Sequence, residues 1–291
     1  MKKKTRSIGP EMMPQISVRM IPFNSPEEHQ QMLRDLATSS EFDMRHRGLF
    51  EYYGKDFITY KRLKPFDQAR NEFLRIIAKF MSECLEDNCP SSWKQCQPSF
   101  WEELIFTFYP HTMNISPNNN ETENFIGQLL KFVRWLDKQA GTSWYPAVEE
   151  YALIAFPELQ KCEKLLNSLF LRDYPRIHHE DYNPSQDFEK VNQQFNQCPI
   201  KLGGIYEVTS VLDDSVILMD LKTKQSYSIK GLPDDLIVPG MIMDGTIGKQ
   251  KSDLFWYWYV TIGIFPQRAK NFIMNIPKNG PILKCLGILN D

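Results

Sequence analysis

His178-His179-Glu180-Asp181 is the densest run of possible metal ligands and acid/base groups in the chain. Imidazoles and carboxylates hold zinc or manganese and move protons near neutral pH. Four adjacent residues on a helix or strand cannot converge on one ion. A metal-dependent enzyme built here therefore needs a bent loop and a distant ligand such as His111 or Asp173. A solvated loop is the plainer reading and the one preferred, so no metal site is assigned. Cys84, Cys89 and Cys96 are separated by four and six residues, not by the two of zinc ribbons and redox motifs, although Cys89 and Cys96 can approach each other in a loop. No G-x-S-x-G elbow and no Cys/His protease signature is present. Gly203-Gly204 and Gly245-x-x-Gly248 match neither phosphate-binding glycine motif and read as strand-end glycines. The reading is thus of a chain without a catalytic set and without a cofactor motif.

Binding chemistry is better represented. In Phe255-Trp256-Tyr257-Trp258-Tyr259, strand alternation sends Phe255, Tyr257 and Tyr259 to one side and Trp256 and Trp258 to the other. One set is expected to fill a core. The other must pack on the rest of the chain, meet a protein partner, or stack on nucleic-acid bases. A second candidate is the basic group Arg45, Arg47, Lys61, Arg62 and Lys64, with Tyr52, Tyr53 and Tyr60 among it, as phosphate contacts; Glu41, Asp43, Glu51 and Asp56 dilute its charge.

The elements that must position these residues divide near Gln197. Ser25, Pro26 and Glu28 mark the start of a helix reaching about Leu36. After Pro65, the spacing of Phe66, Ala69, Phe73, Ile76, Ile77, Phe80, Met81 and Cys84 predicts one buried helical stripe. Further helices are expected over Phe100–Tyr109, closed by Pro110, and from Asn120 as cap to Gly141. Others are expected to start at Pro146, Pro157 and Ser185. Beyond Pro199 the pattern turns to strands: Ile205–Leu212, Val216–Leu221, Ser226–Ile229, Leu236–Ile247 and Leu254–Phe265, with a short helix over Pro266–Ile273. The expected fold class is α+β: a flexible segment over 1–19, an all-helical domain over 20–197, and over 198–291 a small antiparallel β-barrel, SH3-like or OB-like, with a short C-terminal helix.

The chain has 291 residues, 42% of them hydrophobic and 24% charged, with a net charge of −2. Residues 196–291 carry 10 Lys and Arg against 9 Asp and Glu, and residues 1–195 carry 24 against 27, so neither part has the excess of a nonspecific nucleic-acid binder. No apolar run is long enough to cross a bilayer, and the start Met1-Lys-Lys-Lys lacks the apolar stretch of a secretory signal. Six scattered cysteines fit reduced thiols in a cytoplasm. No membrane partner is expected.

From about Phe57 to Tyr151, Thr59-Tyr60, Phe73-Leu74, Phe80, Phe100-Trp101-Glu102-Glu103-Leu104 and Phe125 through Phe132-Val133-Arg134-Trp135-Leu136 resemble the core-binding domain of tyrosine recombinases, a helical segment that clamps DNA. The catalytic domain of that family has no counterpart here. Val208-x-x-Val211, Leu218-Met219-Asp220-Leu221-Lys222-Thr223, Leu236-x-x-Pro239-Gly240-Met241-Ile242 and Gly263-Ile264-Phe265-Pro266 resemble a small β module on uncharacterised helical proteins of Gram-positive bacteria, without the cysteine-rich zinc tail some of these carry. That resemblance implies a fold and a bacterial cytoplasmic setting. The sequence is read first as a non-enzymatic interaction or adaptor protein whose partner face is Phe255–Tyr259. It is read second as a nucleic-acid-associated protein using Arg45, Arg47, Lys61, Arg62 and an exposed Trp256 or Trp258, and third as the metal-dependent enzyme.

Overall fold

The computed structural model describes residues 23–44, 53–85 and 88–275. The segment expected over 1–19, together with Arg45, Arg47, Glu51, Tyr52 and Cys285, lies outside them. Among the described residues no helix is long and apolar enough to cross a membrane.

Among the described residues eight α-helices precede the strands: α1 (Pro26–Ser40), α2 (Gly54–Leu63), α3 (Gln68–Lys79), α4 (Pro98–Glu103), α5 (Tyr109–Thr112), α6 (Glu121–Ala140), α7 (Tyr145–Asp173) and α8 (Pro184–Gln197). Ser25 caps α1, its hydroxyl accepting from the Glu28 N–H at 3.2 Å, and α1 runs four residues past the expected end. The stripe after Pro65 is buried from Phe73 through Cys84, its last turn opening into a π turn over Phe80–Cys84. Phe66 is a correction. Asp67, which accepts from the Arg70 N–H at 3.0 Å, is the N-cap of α3, so Phe66 falls in the preceding turn and stands 97% exposed.

Proline expectations are corrected twice. Pro110 does not end its helix: a π turn over Leu104–Phe108 re-phases the backbone, and Pro110 enters as the second residue of α5, where no N–H is needed. Pro157 starts nothing and sits inside α7. It lies on the exposed side, where solvent can satisfy the Leu153 carbonyl, while Ala152, Ala155, Leu159 and Cys162 are buried and hold the helix on both sides of it. The start of α8 shifts similarly, with Asn183 rather than Ser185 as cap.

Helices α6 and α7 form a hairpin that turns at Gly141, whose φ of 63° needs glycine. Each caps the other. Asp137 near the end of α6 accepts from the N–H groups of Trp144 and Tyr145, both at 2.8 Å, at the start of α7. Glu163 of α7, 1% exposed, accepts from Glu121 at 2.8 Å and Thr122 at 3.1 Å at the start of α6. This tertiary cap replaces the one expected from Asn120, whose side chain makes no capping bond.

The strands are β1 (Ile200–Leu212), β2 (Ser215–Asp220), β3 (Ser226–Lys230), β4 (Ile242–Lys249) and β5 (Trp256–Phe265), followed by α9 (Lys270–Asn275). Their order β1-β2-β3-β5-β4 closes on itself, because β1 pairs with β4 through 200–207 and with β2 through 206–212. The sheet is mixed, which corrects the all-antiparallel expectation: β3 meets β5 in parallel through Ile229↔Trp256 and Lys230↔Tyr257. The strand expected from Leu236 begins only at Ile242; Leu236 closes a 3₁₀ turn over Asp234–Leu236 on the connection from β3 to β4. Gly248 is next to the end of β4, as expected, but Gly203 and Gly204 lie inside β1 and Gly245 inside β4. At Gly245 a Cβ would lie 2.1 Å from the Val260 carbonyl oxygen and 2.4 Å from the Trp258 ring, so this mid-strand glycine makes the room in which the indole lies.

The two parts share one apolar core. Buried residues of α3, α6 and α7 are continuous with Tyr206, Val208, Leu218, Ile229, Met243, Ile247, Trp258 and Ile264 of the strands. At the junction Arg268 is ion-paired with Glu102 and lies over the rings of Phe106 and Tyr151 at 5.0 and 5.3 Å. Arg172 of α7 donates to the Trp258 carbonyl at 3.3 Å.

Candidate functional site

The aromatic strand resolves into three environments. Trp258 is 4% exposed, its Nε1–H donating to Thr261 at 2.8 Å and its ring edge-on to Tyr206 at 6.0 Å. Trp256, half-buried, meets Tyr227 edge-on at 5.1 Å. Both indoles belong to the interior side. On the other side, Tyr259 packs against Phe195 of α8 at 6.3 Å and lines a crevice of about 190 Å³ with Phe170 and Tyr174. Phe255 and Tyr257 are left at the rim, Tyr257 40% exposed.

Three connections converge at that rim. Lys230, the last residue of β3, is ion-paired at 2.8 Å with Asp214 of the β1–β2 turn, and its ammonium lies 4.0 Å from the centre of the Phe255 ring. Lys249, the last residue of β4, sits 5.2 Å from the Trp256 ring and donates to the Asp253 carbonyl at 3.3 Å. Leu254, in the loop between β4 and β5, is 88% exposed. The result is an apolar edge, Leu254–Phe255–Tyr257, bordered by lysines already paired with acids or rings. Such an edge has the aromatic anchors and mixed-charge border of a protein contact. The sequence reading missed Leu254, Lys230 and Asp214. An apolar residue in a polar loop, directly before the aromatic run, was the available signal.

The basic group is not assembled at this site. Lys61 is 4% exposed; its ammonium donates to the Pro65 carbonyl at 2.6 Å and pairs with Glu41 at 3.1 Å. Arg62 pairs with Asp35 at 2.8 Å. His178, His179, Glu180 and Asp181 lie exposed in a turn, with Asp181 ion-paired to Arg176. Among the described residues no three His, Cys, Asp or Glu side chains are grouped to hold a metal. Burial pushes the Cys89 and Cys96 thiols up to about 12, away from the reactive thiolate, and the charge of Cys89 adds to the rise at Cys96. No protein-family model, curated protein or solved structure matches the chain.

Proposed function

We propose that this chain is a non-enzymatic interaction protein, in which the helical part carries an OB-like barrel that takes a protein partner at its Leu254–Phe255–Tyr257 rim. The barrel reading is supported by the closed order β1-β2-β3-β5-β4 and the parallel β3–β5 pair, an arrangement that favours an OB-like over an SH3-like fold. In such barrels the loops after β1 and between β4 and β5 flank the binding face, and here those loops supply Asp214 and Leu254.

The observation that carries the partner assignment is Leu254, 88% exposed beside two rim aromatics. A base stacks on an open ring face, whereas Phe255 and Trp256 each have a lysine ammonium over theirs. The cytoplasmic, bacterial setting belongs to the same proposal, resting on the scatter of the six cysteines along the chain and on the β-module resemblance.

The test is capture by the full chain from a bacterial lysate, with and without nuclease, comparing the natural sequence with Leu254→Asp and Tyr257→Ala. A captured protein that survives nuclease and is lost with both variants, while their melting temperatures hold, supports the reading. Capture of nucleic acid, with affinity falling steeply as salt rises, overturns it in favour of the nucleic-acid reading. Capture unaffected by either variant moves the contact elsewhere.

A further inference from the structure

Phe66 is 97% exposed, and the chain around it explains why nothing among the described residues covers it. It precedes the N-cap Asp67, the position from which an apolar side chain usually folds onto the fourth helical residue. That residue is Asn71, which gives it no apolar partner. Leu63, 57% exposed, closes α2 just before, and Lys64 and Pro65 between them are exposed as well. The turn is therefore an apolar knob carrying a cation.

Beside the knob lies a pocket of about 440 Å³ whose walls include Gln68 and Ala69. Two chain steps of 3.8 Å put the Phe66 Cα within about 7.6 Å of that of Gln68. Phe73, Tyr109 and Phe125, all buried, form the pocket's apolar floor, and Glu121 stands at its rim. The rim carries surplus negative charge. Glu72 is shared with Arg75 and Asn114, and the positive start of α6 is already occupied by Glu163. The Glu121 carboxyl is held above its ordinary range by burial and then by the charges of Glu163 and Glu72.

We propose that knob and pocket are the two halves of one self-complementary contact between copies of this chain: Phe66 of one copy enters the other's pocket, Lys64 reaches Glu121, and the same contact repeats in reverse. Because Phe66 lies only two residues from the pocket wall at Gln68, a two-fold axis between them satisfies both at once. The contact then closes as a dimer instead of propagating as a filament.

Sedimentation of the full chain over a range of concentrations tests this. The mass should rise with concentration toward twice the 34.2 kDa of one chain. Phe66→Asp should hold the protein at the monomer mass with its melting temperature unchanged. Glu121→Lys and Lys64→Glu should each weaken dimerisation by about tenfold or more, and the two together should return most of it, since the pair is re-formed with signs exchanged. A natural chain that stays monomeric throughout overturns the proposal. So does a dimer indifferent to Phe66→Asp, or a charge exchange that rescues nothing.

Discussion

Asp244 carries a carboxyl into β4 at 5% exposure with one oxygen unpartnered, and burial lifts its pKa to about 7. An unfolded aspartate titrates near 3.9. Between the two values the folded chain holds a proton that the unfolded chain has released, so this group weakens the fold progressively as pH rises from about 4 to 7. Three pH units amount to roughly 4 kcal/mol. Glu103, raised to about 7 by burial, acts in the same direction. His111, lowered to about 4 first by burial and then by Lys79, acts oppositely, adding stability as pH rises from about 4 to 6.5. Asp244→Asn removes the first contribution alone. Its stability relative to the natural chain should increase by about 2 kcal/mol between pH 5 and pH 8 in denaturant titrations. An equal difference at both values would show that Asp244 ionises freely. None of this was legible in the sequence, where Asp244 is one acid in a strand, because alternation cannot say which outward position is covered by a later segment. Lys61 shows the same limit: in the sequence it is a surface base, while in the fold Pro65 and Glu41 claim it.

At the scale of elements, the hairpin α6–α7 depends on two carboxylates placed at opposite ends. Glu163 satisfies two N–H groups that would otherwise be buried without partners. Glu163→Gln keeps the shape but has one acceptor oxygen and no charge to offer the helix start. It should lower stability by about 2 kcal/mol, and Glu163→Ala by more. A melting temperature unchanged in both would mean that solvent replaces the cap. Gly245→Ala tests the strands in the same way: the added methyl collides with backbone as well as with Trp258, so the barrel should be lost rather than loosened. The helical stripes and strand centres were readable because periods of 3.6 and 2 are local. Caps and ring closure were not, since Glu163 lies more than forty residues from the N–H groups it holds. The parallel β3–β5 pair similarly depends on a path around the barrel that no short window contains. The proposed partner rim was half legible: alternation separated the tryptophans from Phe255 and Tyr257, but only the fold shows that Tyr259 packs on α8.

For the whole molecule, the question is whether the break near Gln197 divides it energetically. The change from helical spacing to strand runs near Pro199 suggests two domains, yet the apolar core runs from α3 through α7 into the barrel without interruption. Arg268 ties the segment after β5 to Glu102, Phe106 and Tyr151 of the helical part. Separate cores joined by a polar contact melt separately, whereas a shared core melts once. Calorimetry should therefore show one transition whose calorimetric and van't Hoff enthalpies agree. Arg268→Ala removes an ion pair and two ring contacts at the junction and should cost about 1 to 3 kcal/mol. If the junction is the weakest part of the shared core, the variant's transition should also broaden, because barrel and helices then begin to open independently. Two resolved transitions in the natural chain would mean that the barrel rim and the helical part are separable units, and the proposed partner contact at Leu254 could then be tested in the barrel alone. A single transition instead requires the full chain in every binding experiment, since cutting near Gln197 would expose the Trp258 side of the core along with the rim.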